Sequence, residues 1–211
     1  MASDPTRIRR LPEKAVSDIE TIYQILDEGF VCHVAYVERE RPVVIPTLYA
    51  RRDDTMILHG STASGITRAV RRGSPISIAV THVDGLVVAR SGFNSSANYR
   101  SVVVHGHGRI LQGQEHLDAL DWTVETLIPG RLQELRRPTE HEIRQTATIE
   151  VPLLDVSAKV SAGPPDDDAG DLASDIWAGI VPMMLVAGPP VPAPDLREGI
   201  NLPDYLDPYQ R

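Results

Sequence analysis

The feature that most constrains this chain is a succession of short apolar segments separated by tight, polar breaks. Val31–Val37, Pro42–Ala50, Met56–Leu58, Pro75–Val83 and Leu86–Ser91 each read as a strand. Glu38-Arg39-Glu40-Arg41 and Arg51-Arg52-Asp53-Asp54 are too short to hold the crossover that parallel neighbours need, so the first strands pair antiparallel. Asp84-Gly85 reads as a two-residue hairpin turn. Further on, Ser101–Leu111 is a long strand in which Gly106 and Gly108 mark a bulge or bend, and Thr146–Leu153 and Asp155–Val160 give a final strand pair. The expected fold is mainly β with some α: six to seven antiparallel strands closing into a barrel, with peripheral helices. Neither a Gly-x-Gly-x-x-Gly turn nor a Walker lysine motif occurs.

Helical periodicity appears in two places between these strands. Ile19, Ile22, Ile25 and Leu26 share a face over Asp18–Asp27, and Leu117, Leu120, Val124 and Leu127 share one over Glu115–Leu127. Arg131–Arg137 forms another turn or two, and Thr139 with Glu142 forms a capping box for a short helix. Residues 1–12 read as a flexible arm and 13–162 as the barrel. Residues 163–211 read as a loop and proline-rich extension that packs on the barrel or on a partner subunit. The net charge of −8 disfavours a general nucleic-acid binder. Cys32 is the only cysteine, so neither an internal disulfide nor a cysteine-based metal cluster is expected. No stretch is long and apolar enough for a bilayer, and no signal-peptide core follows Met1; a cytoplasmic protein is expected.

Four groups of residues carry candidate chemistry. The stretch Met56–Gly73 runs from a strand end through a small polar turn into a short helix. Its Gly60, Ser61, Thr62 and Ser64, preceded by His59, form a cradle for a phosphate or merely cap the helix; the capping reading is the better one for this stretch taken alone. In Asn98-Tyr99-Arg100-Ser101, Arg100 enters an apolar strand and needs a counter-charge, which is either a ligand phosphate or a protein carboxylate. Trp177, with Gly179 and Pro182, covers a flat ligand or a subunit interface, or pins the C-terminal segment. His105 and His107 point to one face, but no third ligand accompanies them, and no metal site is expected. Asp166-Asp167-Asp168 reads as a solvated acidic loop. Ser64 lacks the glycines of a nucleophile elbow, and no catalytic residue is identified.

Taken together and in order, several motifs resemble the pyridoxamine 5′-phosphate oxidase-related FMN-binding split β-barrel family, in its nitroimidazole-reductase-like branch. They are Pro42–Tyr49, Leu58–Ser64, Asp84–Ser91, Asn98–Gly106 and Trp177–Pro182, within a similarity running from about Ile19 to about Pro182. The resemblance implies a homodimer holding FMN between subunits. By position, Ile45, Pro46 and Thr47 would lie along the flavin. His59, Gly60, Ser61 and Ser64 would surround its phosphate or ribityl chain, Tyr99, Arg100 and Ser101 would approach from the next strand, and Trp177 would lie near the ring. Two positions depart from the family pattern. Asn94-Ser95-Ser96-Ala97 stands where many relatives have a histidine, and Gly65 where many have a basic residue, leaving Arg68 to supply that charge. The implied function is an FMN-dependent oxidoreductase moving electrons or hydride between a reduced donor, NADH or NADPH, and a small organic acceptor. The alternatives are a non-catalytic flavin-binding or redox-sensing protein, a haem-binding barrel with His82, His105 or His107 as iron ligand, and a deazaflavin-binding barrel.

Overall fold

A computed structural model describes residues 6–207 and 209. Its ten strands are β1 (Ala15–Val16), β2 (Val31–Glu38), β3 (Arg41–Arg52), β4 (Thr55–Ser61), β5 (Ile76–Val88), β6 (Ser96–Gly106), β7 (Arg109–Ile110), β8 (Thr146–Pro152), β9 (Asp155–Ser161) and β10 (Gly179–Pro182). Four α-helices lie between them: α1 (Ile19–Glu28), α2 (Gly65–Arg71), α3 (Gly113–Leu127) and α4 (Glu140–Gln145). All strand pairs are antiparallel, in the order β1-β9-β6-β5-β2-β3-β4-β8-β7, and β10 joins β5. The two ends of this order do not pair, so the sheet curls round the core and stays open, a split barrel. The strand count exceeds the expected six to seven because β1, β7 and β10 are short additions. Residues 1–5 of the expected N-terminal arm lie outside the described residues; the rest of it leads into a 3₁₀ turn at Pro12–Lys14.

The expected hairpin at Asp84-Gly85 does not form. β5 runs straight through it, and its pairing with β6 only slips register between Val83 and Gly85. The reason is the approach of β10: a Cβ on Gly85 would sit 3.0 Å from the Val181 carbonyl oxygen and 3.0 Å from Ile180 Cγ2. The glycine thus serves a close backbone approach at a bulge, and the chain reverses only at Arg90–Ser95. By contrast, the turn at Arg39-Glu40 is a tight one, with φ of 49° and 62°.

The core lies inside the curl. Val34 and Tyr36 of β2, Tyr49 of β3, Met56 and Leu58 of β4, Ile78 and Val80 of β5, and Val102 and Val104 of β6 are buried there with Ile22, Ile25 and Leu26 of α1. Burial of each large aliphatic side chain contributes about 1.5–3 kcal/mol. Helix α1 starts at Asp18, whose carboxylate accepts from Thr21 N at 2.9 Å. Its last carbonyls, orphaned by the end of the helix, are met by side chains: Tyr49 donates to Leu26 O at 2.6 Å and His82 Nε2 to Ile25 O at 2.9 Å.

Helix α3 covers the other side of the sheet and packs on β3, β4 and β8. Its buried face is His116, Ala119 and Thr123, small or polar residues that let the helix sit close. The stripe expected from periodicity, Leu117, Leu120, Val124 and Leu127, stays only half-buried. Leu120, Val124 and Leu127 form one wall of a groove.

Candidate functional site

Two cavities flank strands β3 and β4. The larger, about 1060 Å³, lies between α3, the 3₁₀ turn at Arg131–Glu134, the segment leading to α4, and the strands carrying Leu48 and His59. Leu120, Val124, Leu127, Ile128, Leu132 and Leu135 make its walls apolar, while Arg131, Arg136 and Arg137 stand among acidic residues at its rim. The smaller cavity, about 560 Å³, is lined by Glu38, Arg39, Arg41, Val43 and Arg68. Arg68 pairs with Glu38 there, whereas among the described residues Arg39 and Arg41 have no ion-pair partner. The apolar groove suits a large flat ligand and the cationic one a phosphate.

The structure separates the residues that the sequence grouped. In β3 the side chains alternate: Ile45 and Thr47 are half-buried, with Ile45 packed on the core, and Pro46 faces out with Val44 and Leu48. His59 is half-buried in β4 and lines the apolar groove. Its Nδ1 is buried without a hydrogen-bond partner, and burial pushes the imidazole below its ordinary pKa, disfavouring the charged form. That burial disfavours a charged contact with the phosphate or ribityl chain that the resemblance assigned to it. Gly60, the next residue, points to the other face of the strand.

The hydroxyls of Ser61, Ser64 and Thr67 are engaged within the turn. Ser64 Oγ accepts from Thr67 N at 3.1 Å and caps α2, Ser61 Oγ accepts from Ala63 N at 3.2 Å, and Thr67 Oγ1 donates to Ser61 O at 3.0 Å. This is the capping reading. Gly65 is required for a different reason. A Cβ there would lie 2.0 Å from Tyr36 Oη, so the buried tyrosine occupies the space a side chain would need.

Arg100 took the protein carboxylate of its two readings. Its Nε lies 3.0 Å from Asp84 Oδ2, its Nη2 donates to Asp84 Oδ1 and to Glu28 Oε1, each at 2.8 Å, and its Nη1 also pairs with Glu28. The guanidinium holds both carboxyls below their usual range. Tyr99 and Ser101, its neighbours in β6, are half-buried. Trp177 is 65 % exposed just ahead of β10 and lies over Gly179, where a Cβ would be 2.9 Å from the indole. Of the acidic loop, Asp167 is not solvated: it accepts from Arg90 N at 2.7 Å and Arg90 Nη1 at 2.8 Å.

Several histidines are engaged elsewhere. His82 donates to the end of α1, His105 Nδ1 pairs with Ser77 Oγ at 2.8 Å, and His107 is exposed between β6 and β7. No group of three metal-ligating side chains occurs among the described residues.

The pyridoxamine 5′-phosphate oxidase family model matches residues 18–160. The chain belongs to this family. Two solved structures cover nearly all of it. The FAD and haem binding protein from Mycobacterium smegmatis is 36% identical, with 92% of this chain and 96% of that one covered and a TM-score of 0.89. The flavocytochrome Anf3 from Azotobacter vinelandii is 33% identical, with 99% and 97% covered and a TM-score of 0.93. A structure described as a 5-nitroimidazole antibiotic resistance protein, from Bacteroides thetaiotaomicron, shares the family fold at 20% identity, 69% and 86% coverage and a TM-score of 0.58. No match was found among curated proteins. No helix of the described residues is long and apolar enough to cross a membrane.

The groove walls at Leu48 and Leu120–Leu135 are the part of the site that sequence reasoning missed. One signal was available: the stripe Leu120, Val124, Leu127 continues into Ile128 beyond the end of the helical pattern, more apolar surface than α3 needs for packing.

Proposed function

We propose that this protein is a flavin-binding oxidoreductase that carries a haem beside the flavin and works as a homodimer. The observation behind this reading is the 36% and 33% identity, over nearly the whole chain, to proteins described as FAD- and haem-binding and as a flavocytochrome. The residues present fit both groups. Arg39, Arg41 and Arg68 offer guanidinium donors to the phosphate end of a flavin. The aliphatic groove at α3, with an unpartnered imidazole nitrogen in its wall, is of the size and polarity that hold a tetrapyrrole. When bound, a flavin supplies hydride and one-electron chemistry, and a haem one-electron and dioxygen chemistry. This chain's contribution is to orient the two groups, keep water from their apolar faces and neutralise their acidic substituents.

The dimer reading comes from the outer sheet face. Val31 and Val37 of β2, Val44 of β3 and Val83 of β5 are all exposed. An antiparallel sheet with one face on the core normally turns polar residues outward, so an apolar outer face marks a surface that is covered. A second copy of the chain covers it in this reading, with NADH or NADPH as the reducing donor.

An absorbance spectrum of the purified full-length protein, and mass spectrometry of the cofactors it releases, test the proposal. Flavin bands together with an intense Soret band are expected. The released flavin's mass distinguishes the FMN implied by sequence resemblance from the FAD of the M. smegmatis relative. Flavin without a Soret band, after reconstitution with haemin, overturns the haem half; retention of neither group overturns the whole.

A further inference from the structure

We infer that His59 is the axial ligand of the haem iron, through Nε2, in the apolar groove between α3 and strands β3 and β4. The inference rests on the haem reading above. It assigns a residue and a place that the sequence resemblance gave to the flavin phosphate.

The first observation is the state of the ring. His59 Nδ1 is buried and makes no hydrogen bond, while Nε2 is neither enclosed nor hydrogen-bonded among the described residues. Nδ1 stays buried and unpaired, while Nε2 is open and has no protein partner among the described residues that a ligand would have to displace. Nε2 is therefore the ring atom free to meet a ligand.

The second is what surrounds it. Leu48, Leu120, Val124, Leu127, Ile128 and Leu135 bring an aliphatic lining to the groove that His59 enters. A phosphate would find only the rim arginines there, but a macrocycle with an apolar body and carboxylate edges matches both lining and rim. Arg136 and Arg137 are 67% and 79% exposed, so they can swing from Glu142 and Asp121 to propionates at modest cost.

The third is elimination among the histidines. His82 and His105, hydrogen-bonded through Nε2 and Nδ1, lie outside the groove lining. His116 Nδ1 pairs with Thr148 Oγ1 at 2.8 Å, and the ring is 6% exposed beneath α3, outside the groove lining. His33, His107 and His141 are exposed and line neither cavity.

The test is haemin titration of cofactor-stripped, full-length protein, read by the Soret band, by low-temperature EPR and by flavin retention. Wild type should bind haemin with a histidine-ligated signature. His59→Ala should bind on the order of 100-fold more weakly, since even outer-shell changes cost 10–100-fold, and should lose the histidine signature; free imidazole should restore it. His107→Ala should behave as wild type. Val124→Trp keeps His59 and fills the groove, so it should exclude haemin while retaining flavin and the wild-type melting temperature. That variant keeps the test decisive if His59→Ala fails to fold. Wild type that binds haemin while His59→Ala keeps the same affinity and spectrum overturns the His59 assignment and leaves the haem reading standing. Unimpaired haemin binding by Val124→Trp overturns the groove. Wild type that takes flavin but no haemin overturns the haem reading, and this assignment with it.

Discussion

Arg100 clasps Asp84 across the β5–β6 pair, with Nε 3.0 Å from Oδ2 and Nη2 2.8 Å from Oδ1, and reaches Glu28 at the end of α1 with its remaining donors. One guanidinium therefore ties a bulged strand, its neighbour and a helix terminus. Arg100→Ala should lower stability by roughly 1–2 kcal/mol: charge-assisted bonds are worth 1.5–3 kcal/mol, discounted here because Glu28 and Asp84 are 54% and 36% exposed. Thermal melts at pH 7 should show a loss of a few degrees with flavin affinity unchanged. A large loss of flavin affinity at unchanged melting temperature would instead place a ligand phosphate on Arg100.

The same contacts set a pH dependence. Both carboxyls titrate below their ordinary values of 4.5 and 3.8. Their contribution is therefore complete above those values and is lost as pH falls through the lowered folded-state values. The stability gap between wild type and Arg100→Ala should stay constant from pH 7 to about 5 and close in more acid solution. Urea midpoints across that range measure it; a gap that widens in acid would contradict the assignment.

Gly65→Ala should destabilise, although alanine is ordinarily the better helix residue. The new Cβ would lie 2.0 Å from Tyr36 Oη and 3.0 Å from Cζ. Tyr36 is 5% exposed and has little room to retreat, so a cost of about 1–3 kcal/mol is expected. Adding Tyr36→Phe removes the closest atom and should recover part of that loss, a non-additivity that a double-mutant cycle reads directly. Additive effects would mean that the two side chains do not meet.

Cys32 is fully buried and its thiol is pushed up to about 12 by burial. Thiolate is the reactive form, so the native protein should resist thiol reagents at pH 8, and one equivalent should react in denaturant. Fast labelling of the folded protein would show that β2 opens locally.

The covered-face reading predicts that Val44→Glu, at an exposed position on the outer face of β3, separates the homodimer without unfolding the subunit. Sedimentation should give a dimer for wild type and a monomer with a wild-type far-UV spectrum for the variant. A monomeric wild type would remove the dimer from the proposal.

Local patterns settled much of the architecture. The apolar runs Val31–Val37 and Pro42–Ala50 with a charged turn between them, the α1 stripe at Ile22, Ile25 and Leu26 though not at the exposed Ile19, and the Thr139–Glu142 capping box each depend on residues only a few positions apart, and each forms. The family was legible because its motifs keep their order and most of their residues, the departures at 94–97 and Gly65 aside. What the sequence left open was decided by contacts between distant parts of the chain. Gly85 is a bulge because β10, nearly a hundred residues later, lies against it. Gly65 is empty because Tyr36 fills its place, and Arg100 answers Glu28 and Asp84, the former 72 residues away. His59 faces a groove whose far wall is built from α3 and the turn beyond it. A side chain's partner is a fact of three-dimensional packing: the sequence states which charges and shapes must be met, and only the folded chain supplies what meets them.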